Sequence, residues 1–411
     1  MQSPMIVRNF LQWAITASAA QRSEGAGALA RAYLYSELDE RTRRDAEIAM
    51  MSLLDDPSPL VRRALADNFA SAADAPRSLI SALADDQSDI AAPVLSRSPI
   101  LSEAELVDCA AIGDAFAQSA IALRARVPVS VAAALAEVGA REAAISLAVN
   151  PGAELAEFSM RRMIERFGDD GEMREALLSR PWLPATIRSQ LVAAAAASLT
   201  AFVVDCAWLS PERAERLSRE AREKANVIIV AETAARDGRA GLRELAAHLR
   251  DSGQLTPSLV LRALLSGRRD LFEAALAELS GLREDRVAGQ LRDFRGAGFA
   301  ALYAKAALPA KFLPAFRAAL EAQRDFADLH DESGEARLSL IMIERVLTAC
   351  EELNGGELDR LMALLRRFEM EAALEQARQE APLLAKPEFA PALHRPVIDM
   401  EAFEAALAEA A

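Results

Sequence analysis

The sequence predicts an all-α fold, an α-solenoid of stacked helical hairpins (an α/α superhelix), on three observations. The first is a repeat: DDPSPLVRRAL (55–65) is followed 30 residues on by DDQSDIAAPVL (85–95). Asp55/Asp85, Asp56/Asp86, Ser58/Ser88 and Leu65/Leu95 are identical across it, and Leu60/Ile90 match in kind. That period, without strand signals, belongs to helix pairs that bury their apolar faces by stacking on neighbours. The second is composition: hydrophobic residues make up 52% of the 411 but aromatics only 5%. The excess is Ala and Leu, strong helix formers, while the β-branched and aromatic residues that strands favour are scarce. The third is punctuation: segments rich in Pro, Ser and Asn recur at short intervals and read as turns.

Helices over 6–20, 23–36 and 41–54 precede the first clear repeat. In that repeat Ser58 is placed as an N-cap and Pro59 at the first helical position, where its missing N–H costs no bond. Leu60, Val61, Ala64, Leu65 and Phe69 then form one apolar face, with Arg62 and Arg63 on the other. A second helix over 76–84 buries Leu79, Ile80 and Leu83. In the next unit Ser102 and Glu105 form a capping box, and Pro93 inside the first helix is expected to kink or shorten it. Taking the Leu near the end of each first helix as anchor gives Leu65, Leu95, Leu123, Leu147 and Leu178, at spacings of 30, 28, 24 and 31.

The rhythm breaks at 183–209, an Ala-rich helix expected to be buried and central. It falls short of the roughly 20 strongly apolar residues a membrane span needs. Ser210 and Pro211 open a long helix running to about Asp237, charged in its first half and apolar in its second. The short pattern returns with anchors Leu249, Leu276 and Leu302, and Thr256 with Pro257 caps a helix as Ser58 with Pro59 did. Helices over 310–330, 336–353 and 357–379 follow, then a tail in which Pro382, Pro387, Pro391 and Pro396 forbid a helix, with a short amphipathic segment at 400–410. The domain reading is 1–205 and 206–380 as two helical arrays and 381–411 as a Pro-rich tail. The apolar stretch near the start reads as a first amphipathic helix in preference to a signal peptide.

Lys plus Arg is 47 and Asp plus Glu 61, a net charge of −14. Such a chain is repelled by nucleic acid and anionic lipid unless it segregates a basic face. Cys109, Cys206 and Cys350 match no metal or redox spacing and read as small buried hydrophobes in a reducing cytoplasm. His248, His330 and His394 stand apart from one another, His330 beside Asp331 and Glu332, and no metal, phosphate-loop or nucleophile motif occurs. The sequence therefore predicts no catalytic residue, cofactor or metal. It predicts a non-enzymatic scaffold that binds a protein partner on the solenoid surface, with Arg62, Arg63, Arg161, Arg162, Arg180 and Trp182 as candidate contacts. The alternative is a ligand- or nucleic-acid-binding protein, glycosylase-like, with a site between the arrays near 183–209. Self-association through the Ala-rich helix or the tail is compatible with either.

Asp56, Val61 and Arg62 before an Ala/Leu helix resemble the HEAT-repeat signature, in which Asp and Arg of adjacent repeats form a ladder. Only the first repeat keeps both residues; the second has Asp86 but Ala91 and Ala92 where Val and Arg should stand, so a continuous ladder is not expected. A wider resemblance rests on FLQWA, LLDDPSPLVRRALA, APRSLISALADD, VLSRSPILSEAELVD, AIALRARVPVSVAAALAEVG and LAVNPGA. These look like a bacterial family known as domain of unknown function 2336, which implies a HEAT-like fold and carries no activity.

Overall fold

The computed structural model describes residues 3–326, 335–351 and 359–384. Every regular element among them is a helix, and the one β contact is an isolated parallel bridge between Val127 and Ala153. Contacts divide the chain into two compact units, Met1–Leu255 and Thr256–Ala411. The division thus falls after Leu255 and not at 205/206, because the two long helices on either side of 205/206 form one hairpin.

The first unit begins with α1 (Ser3–Thr16), α2 (Ala19–Tyr35), α3 (Glu40–Leu53), α4 (Pro59–Phe69), α5 (Arg77–Ala84) and α6 (Ser88–Arg97). It continues with α7 (Glu103–Ile112), α8 (Ala115–Ala122), α9 (Val129–Val138), α10 (Arg141–Val149), α11 (Glu157–Phe167) and α12 (Gly171–Leu178). The long pair α13 (Ala185–Asp205) and α14 (Pro211–Asp251) closes it. Helices pack on their next-but-one neighbours. One row runs α2, α4, α6, α8, α10, α12; another runs α7, α9, α11, α13.

Capping follows the sequence closely. Ser18 with Gln21 and Ser102 with Glu105 make complete capping boxes, and Asp39, Asp114 and Asp170 cap α3, α8 and α12. Ser58 precedes α4 and Pro59 opens it, but the Ser58 side chain makes no cap bond; its N–H donates to Asp56 Oδ1 instead, at 2.9 Å. Pro93 does not end α6, which runs on to Arg97. The bond it forgoes is to the carbonyl of Asp89, an exposed residue.

Among the expected anchors, Leu65, Leu95 and Leu147 are buried, while Leu123 and Leu178 are exposed. Leu123 is the C-cap of α8 and Leu178 the last residue of α12. Both have turned off the packing face, and Ile121 and Leu177 fill the core in their place. Leu60 is likewise exposed, and α4 buries Val61, Leu65, Ala66 and Phe69. Cys206 is exposed, Cys109 half-buried and Cys350 buried.

The largest departure is α13. Its buried residues are Ala185, Thr186, Ile187, Ser189 and Leu191, all at its start, so it is not the buried central helix expected. It forms an antiparallel hairpin with α14, where Arg188 pairs with Glu232 and Arg236 donates to the carbonyl of Leu183. Gly238, at φ +60° and ψ −147°, interrupts α14, in a region only glycine enters at low cost. It separates α14a (211–237) from α14b (239–251), as the expected end near Asp237 anticipated.

The second unit holds α15 (Pro257–Leu265), α16 (Arg269–Ser280), α17 (Glu284–Arg292), α18 (Ala297–Lys305), a 3₁₀ turn (Ala310–Phe312), α19 (Leu313–Phe326), α20 (Glu335–Glu351) and α21 (Asp359–Leu384). Thr256 caps α15 by accepting the Leu259 N–H at 3.1 Å. Leu276 and Leu302 are buried as expected. Phe316 stacks on Phe272 at 5.6 Å and meets the edge of Tyr303 at 5.4 Å. α21 continues through Pro382 to Leu384, beyond the expected end at 379. The segment 400–410 and the cluster at His330 lie outside the described residues.

Candidate functional site

Polar side chains tie each helix pair of the first unit to the next. Arg22 of α2 donates to both oxygens of Asp56, Nε at 2.6 Å and Nη2 at 2.9 Å. Arg62 of α4 repeats the arrangement on Asp86, at 2.6 and 3.1 Å, and also donates to the Asp56 carbonyl. Two rungs of an Arg–Asp ladder therefore exist where the sequence suggested a broken one. Donor and acceptor belong to different repeats: Arg62 reaches forward, so the second repeat needs only its Asp. The Arg22 guanidinium, more than any other group, holds the Asp56 carboxyl below the usual carboxylate range.

Further along, the ladder changes chemistry. Arg124, just after α8, donates to the carbonyls of Leu95 and Ser98 at the end of α6. Asn150, after α10, donates to the carbonyls of Ala122 and Arg124 at the end of α8, both at 2.7 Å. Arg180, after α12, donates to those of Ala148 and Ala153, at 3.0 and 2.9 Å. Each side chain satisfies carbonyls that a helix C-terminus leaves open. The turns also touch directly: the Val127 N–H donates to the Gly152 carbonyl at 3.0 Å, and the Glu154 N–H to the Val127 carbonyl at 2.9 Å. A Cβ on Gly152 would lie 1.9 Å from the Ala125 carbonyl oxygen, so only glycine permits this approach.

These bonds set three turns side by side, 123–128, 150–156 and 179–184. Leu123, Val129, Val149, Phe158, Leu178 and Trp182 flank them, and all six are exposed. Of the charged groups on this edge, Arg126 pairs with Glu154 at 2.9 Å, and Arg124 and Arg180 are held by backbone carbonyls. Exposed apolar side chains gathered in one place, in contrast to single scattered ones, mark interaction surfaces.

A cleft of about 570 Å³ opens between α11, α13 and α14b. Glu157, Arg161, Thr186, Gln190, Glu244, His248 and Asp251 line it. Arg161 pairs with Glu157 at 3.0 Å, and the Thr186 hydroxyl donates to the same carboxylate oxygen at 2.7 Å. Burial, then Arg161, pushes the His248 imidazole below its ordinary value, and its Nε2 is buried with no hydrogen-bond partner. Three carboxylates face one guanidinium here, so the cleft repels phosphate.

The six residues expected to bind a partner separate accordingly. Arg62 and Arg180 are engaged inside the fold. Arg63 lies 3.5 Å from Asp67, and Arg162 is held by Glu137 and Glu165. Arg161 lines the cleft. Trp182 stands on the apolar edge, with the Arg236 guanidinium 5.4 Å from its ring centre. The sequence reading missed Leu123, Val129, Val149, Phe158 and Leu178 as exposed residues. Leu123 and Leu178 were read as anchors but stand two residues after buried Ile121 and one after buried Leu177, as Val149 stands two after Leu147, spacings that leave the packing face.

Helices packed in next-but-one rows and tied by polar side chains define an all-α protein. A family model described as an uncharacterised protein conserved in bacteria, DUF2336, matches residues 90–354. That is more than half of the chain, which therefore belongs to this family. The motifs quoted from before residue 90 lie outside the matched region. No curated protein and no solved structure matches the chain.

Proposed function

We propose that this protein is a non-enzymatic scaffold, an α-solenoid of HEAT-like hairpins that binds a protein partner on its turn edge. The solenoid reading is supported by next-but-one packing and by rungs that recur once per hairpin, the arrangement expected of repeats that contact only their neighbours. The observation that carries the binding reading is the edge itself. Its polar groups, Arg124, Asn150 and Arg180, are consumed in holding the turns together, and the apolar side chains are left facing water. A partner that presents apolar side chains, centred on Trp182, removes that surface from solvent at about 25 cal/mol per Å². Aromatic residues are enriched among those that dominate such contacts.

Affinity purification of the tagged chain from its native cells, with gentle crosslinking, tests this. One protein is expected at near-stoichiometric yield, and a Leu178→Asp/Trp182→Asp chain that keeps its helical circular dichroism should lose it. Retention of that protein by the double variant would move the site off the edge. Recovery of a small molecule or nucleic acid in place of a protein would overturn the scaffold reading.

A further inference from the structure

The cleft between α11, α13 and α14b holds polar groups with bonding capacity to spare. At about 570 Å³ it falls in the size range of small-molecule sites. Arg161 and the Thr186 hydroxyl both donate to Oε1 of Glu157, which leaves Oε2 open. Arg250 donates to Oδ1 of Asp251 from Nε and Nη2, at 3.1 and 2.9 Å, and Oδ2 stays open. Among the described residues neither the Glu244 carboxylate nor the Gln190 amide has a partner. Burial holds the His248 imidazole below its ordinary value, so it is neutral near neutral pH and adds no cation to the cleft.

We propose that this cleft binds a short aliphatic diamine, as its diammonium ion, with one end on Glu244 and the other on Asp251. The charge selects a cation, since three carboxylates face one lining guanidinium. The spread of the acceptors selects an extended organic one. Among the described residues no three acidic, His or Cys side chains are grouped closely enough to hold a metal ion. Glu244, Ala247, His248 and Asp251 fall at i, i+3, i+4 and i+7, one face of α14b. Glu244 and Asp251 thus stand roughly 10 Å apart along the helix at 1.5 Å per residue. An extended chain of four methylenes sets its nitrogens roughly 6 Å apart at ordinary bond lengths. A hydrogen bond of about 2.9 Å at each end extends that reach to roughly 12 Å. Ala247, between the two carboxylates, offers the methylenes an apolar surface. Across the cleft, Glu157 Oε2 and the Gln190 carbonyl offer acceptors to the remaining ammonium protons. A guanidinium fits less well: its planar fork takes two free oxygens of one carboxylate, and Glu157 and Asp251 each keep a single one.

Isothermal titration calorimetry of the full chain with diaminobutane at low ionic strength should show saturable one-to-one binding tighter than about 1 mM. Butylamine carries one charge, and N-acetyl-lysine amide presents the same ammonium as a peptide would. Each should bind at least about tenfold more weakly. Glu244→Gln and Asp251→Asn should each bring the diamine down to the affinity of butylamine, with circular dichroism unchanged, both side chains being exposed. Glu142→Gln, at an exposed carboxylate of α10 outside the cleft, should leave binding unaltered. No saturation up to about 10 mM overturns the proposal. So does an equal loss in the Glu142 variant, or equal competition by magnesium chloride, either of which would reduce the cleft to a diffuse negative field. A single ammonium that binds as tightly as the diamine overturns it too, and if the lysine amide alone did so the cleft would belong to a lysine side chain of a peptide. None of the substituted residues belongs to the turn edge, so the scaffold reading is tested separately.

Discussion

The helix rows from α2 to α12 and the hairpin α13–α14a share a composition rich in Ala and Leu, yet they meet water differently. In the rows Leu95 and Leu147 are almost wholly buried, and the polar groups of one turn bond to those of the next. In the hairpin Leu199 and Phe202 are exposed; buried oxygens without a hydrogen-bond partner occur in both regions, Ser159 Oγ on α11 and Ser189 Oγ and Asn226 Oδ1 in the hairpin. A helix within a row has a neighbour on each side, whereas α13 ends its row and is buried only at its start. Neighbours, more than the sequence of a helix itself, decide whether an Ala/Leu face becomes core.

The sharpest way to break that comparison is the same substitution in both regions. Leu147→Ala removes a fully buried side chain and should cost about 3 kcal/mol, within the range for core Leu truncations. Leu199→Ala should change stability by less than about 0.5 kcal/mol at concentrations where the chain is monomeric. Chemical denaturation followed by circular dichroism reads both. Equal losses would mean that α13 is covered in solution even in the single chain.

Much of the local structure was legible before the fold was seen. Ser102 with Glu105, Thr256 with Pro257 and the break near Asp237 are rules of adjacent residues, and the structure follows them. The anchors were legible only in part: a period near 30 locates each helix but does not say which of two neighbouring apolar residues, Ile121 or Leu123, faces the core. The ladder was misread because Arg62 serves two repeats at once, the Asp86 carboxylate of the next and the Asp56 carbonyl of its own. Of the edge only Trp182 was singled out, and α13 was read as buried, since exposure depends on what packs alongside and the apolar run 191–204 reads the same buried or bare.

The Arg22–Asp56 rung should matter less than a core Leu and more than a surface pair. The Asp56 side chain is 7% exposed and that of Arg22 19%, so Asp56→Ala should cost about 2 kcal/mol, between values for exposed and buried ion pairs. The pH dependence has a definite sign. Arg22, foremost, and the Ser58 N–H hold the folded carboxyl below its ordinary value against the opposing effect of burial. The stabilisation is therefore whole above the unfolded pKa near 4 and is lost as pH falls through the lower folded value. Melting temperatures of the parent and Asp56→Ala chains should differ most above about pH 5 and converge in acid. A gap that persisted at pH 2 would assign the loss to the Ser58 turn and not to the ion pair.

The smallest effect should have the opposite sign. Ser189 lies on α13 where that helix is still buried, and its Oγ makes no hydrogen bond. A hydroxyl so placed has surrendered water and gained nothing, and replacing it by hydrogen removes a desolvation cost at the loss of a few packing contacts. Ser189→Ala also exchanges a middling helix former for the best one. The sum should be a gain of up to about 1 kcal/mol, seen as a higher denaturation midpoint at unchanged slope. The rows supply the control: Asn150 has both ends of its amide engaged, and Asn150→Ala should destabilise by about 2 kcal/mol or more, because it strands carbonyls at the end of α8. A loss of that size at Ser189 would mean that a buried water bonds its hydroxyl, and the base of the hairpin would then be as well satisfied as the turns of the rows.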